Sequence, residues 1–137
     1  MRDILLDTHV LLWTQFDTTH LSPRLKDLLN SKEVRWHISQ VSMLEVQIKH
    51  DLGKITLPAA PSEWFPQIVQ RAGFVFHPLF NEAIYMLGKL PGHHRDPFDR
   101  LLISTALVRG WEIATADRIF DKYPVQAVPP LPTPPPS

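Results

Sequence analysis

The sequence predicts an α/β fold built on a parallel sheet, and two observations carry this. Short strand-like runs alternate with helix-like segments from Asp3 to about Ala127. The chain has 137 residues, 44% of them hydrophobic, which suits one domain with a sheet covered on both faces.

The elements follow in order. Asp3-Ile-Leu-Leu-Asp7 is a buried strand, and Thr8 to Phe16 is a helix. Ser22-Pro23 opens a second helix, with Ser as N-cap, Pro in the first turn and Leu25, Leu28 and Leu29 as its apolar stripe. Arg35 to Ile38 is the second strand. Ser39 caps a helix to about Asp51, with Gly53 beyond its end. Ser62 to Arg71 is helical and stops at Gly73, and Phe74 to Pro78 holds the third strand. Asn81 caps a helix to about Lys89. Asp96-Pro97 opens the clearest helix, which ends near Gly110. Glu112 to Thr115 is the fourth strand, and Val125 to Ala127 the fifth.

Seven of the 14 prolines lie between Pro124 and Pro136, so the folded unit is expected over 1–127, with an extended proline-rich tail over 128–137. Fourteen Lys and Arg balance fourteen Asp and Glu, which excludes nucleic-acid binding by bulk charge. The absence of Cys excludes disulfides, thiol nucleophiles and thiolate metal sites. No segment has the roughly 18 apolar residues of a membrane span, and the early charges do not suit a secretory leader, so a cytoplasmic protein is expected. Neither GxGxxG nor GxxxxGK occurs, and no serine sits in a GxSxG elbow. His93-His94 is adjacent rather than i,i+4 and reads with Arg95 as a basic loop instead of a zinc site.

In a parallel sheet with helical crossovers, ligands bind outside the carboxyl ends of the strands. Four acidic positions fall there: Asp7 after the first strand, Glu45 in the helix after the second, Asp99 in the first turn of the Asp96-Pro97 helix, and Asp117 after the fourth strand. Glu45 lies within a stripe of Val41, Leu44, Ile48 and Leu52, so it is expected to face inward. An inward carboxylate needs a partner, and a hard divalent cation suits several such oxygens. Each acid also has a plain structural reading. Asp7 and Asp117 can cap the turns that follow them, Asp96 and Asp99 can form a capping box, and Glu45 can pair with Lys49.

Four stretches resemble the PIN-domain family, and within it the VapC-type toxins of toxin–antitoxin pairs. They are Leu5 to Trp13, with Asp7-Thr-His; Ser39 to Glu45, with Lys49 and Gly53-Lys54; His94 to Ala106, with Asp96-Pro-Phe-Asp99; and Thr115-Ala-Asp117. The resemblance implies a PIN-like three-layer α/β/α sandwich and an endoribonuclease dependent on Mg²⁺, with Mn²⁺ as substitute. It also implies an RNA substrate, a cognate antitoxin and a homodimer. It places the catalytic and metal-binding acids at Asp7, Glu45, Asp99 and Asp117, with Asp96 as a further metal candidate and Thr115 in support. Lys49, Lys54, Arg95, Arg100 and Arg118 flank these motifs as candidate phosphate contacts. The other reading is a catalytically idle domain of the same fold that works by binding a partner protein.

Overall fold

The computed structural model describes residues 1–92 and 96–128. One sheet contains β1 (Arg2–Leu6), β2 (Val34–Ser39), β3 (Val75–His77), β4 (Glu112–Ala114) and β5 (Ala127–Val128). All its pairings are parallel, and the order β3-β2-β1-β4-β5 puts β1 at the centre. The described helices are α1 (Thr8–Phe16), α2 (Pro23–Asn30), α3 (Gln40–Asp51), α4 (Pro61–Ala72), α5 (Asn81–Met86) and α6 (Pro97–Arg109).

Successive strand side chains point to opposite faces, and both faces are buried. Ile4, Leu6, Trp36 and Ile38 enter one core with Val10 and Leu11 of α1, Leu25 of α2 and Trp64, Phe65 and Ile68 of α4. Leu5 and Ile113 enter the other, with Leu102, Ile103 and Ala106 of α6. The result is a three-layer α/β/α sandwich. α3 lies across the seam, with Val41 in the second core and Val46 in the first.

Local chemistry sets the helix ends. The side chains of Asp7, Ser22, Ser39 and Asp96 accept first-turn N–H groups of α1, α2, α3 and α6. Pro23 and Pro97 occupy the first positions of α2 and α6, where a missing N–H costs nothing. At the far end of α6, Gly110 adopts φ 71°, which turns the chain so that Trp111 N–H reaches the Ala106 carbonyl at 2.9 Å. No described helix is long and apolar enough to cross a membrane.

Three expectations need correction. In α3 the buried face is Val41, Ser42, Glu45 and Val46, whereas Leu44, Ile48 and Leu52 are exposed. The interior face is partly polar because Ser42 meets Thr8 of α1 in a buried 3.0 Å hydrogen bond, and hydrophobicity alone points to the wrong stripe. Asn81 is the first residue of α5, not its cap. Phe80 holds the cap position without a side-chain bond, and its ring packs against the second core. The fifth strand is Ala127–Val128, because Val128 pairs with Ala114 and buries its side chain in the first core. The ladder thus reaches one residue into the stretch assigned to the tail, and the rest of that tail, 129–137, lies outside the described residues.

Leu102→Ala should cost about 2–5 kcal/mol through transfer and cavity terms, and Leu44→Ala less than about 0.5 kcal/mol. Urea unfolding of the two variants checks the assignment of faces. Equal losses would contradict it.

Candidate active site

The strand order reverses at β1, with β2 on one side and β4 on the other. A parallel sheet opens a crevice at such a switch, outside its carboxyl edge. The backbone here is closely tied. Asp7 N–H bonds the Ala114 carbonyl at 3.0 Å, which carries the pairing past the end of β1, and Thr115 N–H bonds the Val128 carbonyl at 3.1 Å. The residues that follow β1 and β4 are therefore neighbours.

Asp7 is buried. Its carboxylate accepts the Val10 N–H at 2.8 Å and a hydrogen bond from Thr115. Burial raises its pKa from 3.8 to about 6, the Thr115 and Val10 hydrogen bonds and the nearby His9 oppose the rise, and the charge of Glu45 adds to it. The Thr115 hydroxyl oxygen also accepts the Asp117 N–H at 3.1 Å, so one buried threonine joins the two acidic positions. Asp117 in turn caps the 3-10 turn Arg118–Lys122 through the Ile119 N–H at 3.0 Å.

Glu45 is 2% exposed. Its Oε2 accepts from Lys49 Nζ at 2.5 Å, while Oε1 is buried with no hydrogen-bond partner. Such an atom bears a desolvation cost of about 1–3 kcal/mol or more until something positive or donating reaches it. Asp96 accepts the Phe98 and Asp99 N–H groups at 2.9 and 3.4 Å, as an N-cap does. Asp99 stands one turn along and is turned to the crevice.

A cleft of about 320 Å³ results, lined by Asp7, Asp99 and Asp117 together with His9, Trp13 and Ala116. Three of the four predicted acids thus share one cavity, and Glu45 lies near enough for its charge to act on Asp7. Asp96 does not line the cleft. Local readings are realised as well: Asp7, Asp96 and Asp117 cap, and Glu45 pairs with Lys49. Among the described residues no three His, Asp or Glu side chains close into a metal cage. The donors nevertheless fit a hard cation, because the set is all oxygen and Glu45 Oε1 lacks a partner.

The basic candidates divide. Lys49 is committed to Glu45. Lys54 and Arg118 are exposed. Arg100 donates to the carbonyls of Pro91 and Leu87 and so ties the chain before α6 to the end of α5. Arg95, with His93 and His94, lies outside the described residues. Sequence reasoning did not single out His9 and Trp13 for the site. The available signal was their i,i+4 spacing on the helix that Asp7 caps, which puts them on one face.

The PIN domain family matches residues 4–126. The chain belongs to the PIN-domain family. This PIN domain is 26% identical over 120 residues to Ribonuclease VapC22 of Mycobacterium tuberculosis, covering 86% of this chain and 89% of that protein. Its fold resembles a chain in the crystal structure of VapBC2 from Rickettsia felis bound to a fragment of promoter DNA, with TM-score 0.71 and 14% identity over 93% of this chain and 98% of that one. A chain of DNA-bound VapBC from Salmonella typhimurium matches at TM-score 0.68 and 18% identity, with 94% and 98% covered.

The raised pKa of Asp7 gives a signed prediction. The folded state holds this proton more tightly than the unfolded chain, so ionised Asp7 costs stability in full above about pH 6 and nothing below about pH 3.8. In chelator at pH 7, Asp7→Asn should therefore raise stability by an amount on the order of 2–3 kcal/mol, with the N-cap kept by Asn. The gain should shrink as the pH falls from 6 toward 4, read as the difference between denaturation curves of variant and wild type. A gain that does not vary with pH would refute the burial of an ionised Asp7.

Proposed function

We propose that this PIN domain is a metal-dependent endoribonuclease and the toxin of a toxin–antitoxin pair. The observation that carries the reading is the unpartnered, buried Oε1 of Glu45 beside a cleft walled by Asp7, Asp99 and Asp117. A curated relative named a ribonuclease and fold neighbours from VapBC complexes support it.

Asp7, Glu45, Asp99 and Asp117 would hold Mg²⁺ or Mn²⁺, with Asp96 available to a second ion or its waters. When bound, the cation polarises the phosphodiester and makes an attacking water more acidic, so that no protein nucleophile is required. The protein's own contribution is placement. Thr115 and the Val10 N–H fix the Asp7 carboxylate, Thr115 sets the path of the chain at Asp117, and Lys49 holds Glu45 in one orientation. Lys54 and Arg118, both exposed, would meet phosphates of an extended substrate. With a net charge of zero, RNA is selected by fit and by these contacts rather than by a long-range field. A cognate antitoxin acts as inhibitor, a homodimer is the working assembly, and both operate in the cytoplasm, where the RNA is.

Purified protein should cleave total RNA with Mg²⁺ or Mn²⁺ and stop in excess EDTA. Asp99→Asn should lose at least about 100-fold in rate with little change in melting temperature, as expected for a residue that controls the reaction. Asp96→Asn should retain measurable cleavage, because Asn also caps well. Cleavage undiminished in EDTA would sink the metal mechanism, and a dead Asp96→Asn beside an active Asp99→Asn would reverse the two assignments.

A further inference from the structure

Three of the four tryptophans are accounted for by burial. Trp36, Trp64 and Trp111 are 5%, 3% and 9% exposed and pack within the cores. Trp13 differs, being half-buried and part of the wall of the acidic cleft. It shares that wall with His9, one helical turn earlier, with ring centroids 6.3 Å apart. His20, from the 3-10 turn Thr18–His20, stacks against the indole at 4.5 Å and 14° between planes. Asp17 Oδ2 holds the His20 ring at 3.2 Å from Nε2, so the ring stacked on the indole is itself anchored. A half-buried aromatic ring braced in this way loses little entropy when another ring joins it.

We propose that Trp13, flanked by His9 and backed by His20, is a nucleobase subsite of the cleft. One unpaired base of single-stranded RNA stacks at Trp13 while its backbone phosphate lies toward Asp7, Asp99 and Asp117. This deepens the ribonuclease reading and rests on it. Three features select this ligand. The acids share their cleft with Trp13 and His9, and stacking accepts any base because every base has a π-face. The cleft, at about 320 Å³, is at the small end of the roughly 300–1,000 Å³ of sites for small organic ligands, a size that suits one splayed-out nucleotide. The chain carries no net positive charge, so stacking supplies affinity that bulk attraction does not.

Stopped-flow tryptophan fluorescence of the full chain in Mg²⁺ reads binding before cleavage. The probes are a short unpaired oligoribonucleotide and the same backbone without bases. The oligoribonucleotide should quench the fluorescence and the baseless backbone should not, and Trp13→Phe protein should lose most of the quenching. In steady-state cleavage Trp13→Ala should raise KM about 5- to 150-fold, the equivalent of one stacked base, with kcat within about threefold. Trp13→Phe keeps an aromatic ring and the packing, and should fall between the two. Equal quenching by both probes, or quenching that survives in Trp13→Phe, overturns the subsite. So does a KM unchanged in Trp13→Phe and Trp13→Ala while wild type cleaves RNA, an outcome that leaves the ribonuclease standing. Base-dependent quenching at Trp13 without cleavage by any preparation would overturn the ribonuclease and retain the subsite.

Discussion

The carboxyl edge of the sheet depends on one backbone hydrogen bond, from Asp7 N–H to the Ala114 carbonyl. It extends the β1–β4 pairing one residue beyond the strand and so fixes Asp7 against Thr115. From there the geometry propagates through side-chain and capping contacts. Thr115 holds Asp7 on one side and the Asp117 N–H on the other. Asp7 starts α1, which sets where His9 and Trp13 stand. A central β1 is the condition for all of this, because only a strand with neighbours on both sides can place its last residue at a switch in strand order.

Polar side chains within the sheet are treated in two ways. On the face that carries Leu5, the Asp3 carboxylate accepts from Arg35 at 2.9 Å and meets His37 Nε2 at 2.8 Å, while His37 Nδ1 meets His77 Nε2 at 2.8 Å. Trp111 stacks on His37 at 3.9 Å, and burial holds both histidines below their ordinary pKa, in the neutral form that such a chain of bonds needs. Arg2 closes a two-point pair with Glu112 nearby. These groups satisfy one another, as structural polar clusters do. At the carboxyl edge the balance is different: Asp7 is buried at the expense of its ionised form, and Glu45 keeps one oxygen unpartnered. That imbalance is what sets the carboxyl edge apart from a structural polar cluster.

Much of this was legible in the sequence, for identifiable reasons. Capping residues with Pro or Gly punctuation are local signals, and they located α1, α2, α3 and α6. The acidic positions followed from the parallel-sheet rule, since residues after strands and in the first turns of helices collect at one edge. Non-local effects were not legible. Asn81 carried a capping signal, but the packing of Phe80 decides where α5 begins. Val128 looked like the head of a proline tail until its pairing with Ala114 and its burial are considered. The braced indole of Trp13 depends on His20 returning over α1, which no local pattern encodes.

Glu45 shows how a sound placement can rest on an unsound face. The apolar stripe of α3 is Val41, Leu44, Ile48 and Leu52, and three of these four are exposed. Glu45 faces inward for another reason: it shares its face with Val41, Ser42 and Val46, where α3 crosses the seam between the two cores. A helix over such a seam, beside a polar site, needs small and hydrogen-bonding groups inside, and Ser42 with Thr8 provides them. The hydrophobic stripe then falls to the outside, where Leu44, Ile48 and Leu52 stand in solvent. Hydrophobic periodicity finds the buried face of a helix when the core is the only thing beneath it. In α3 the inward face is partly polar, and the informative residue is the carboxylate that should not be buried.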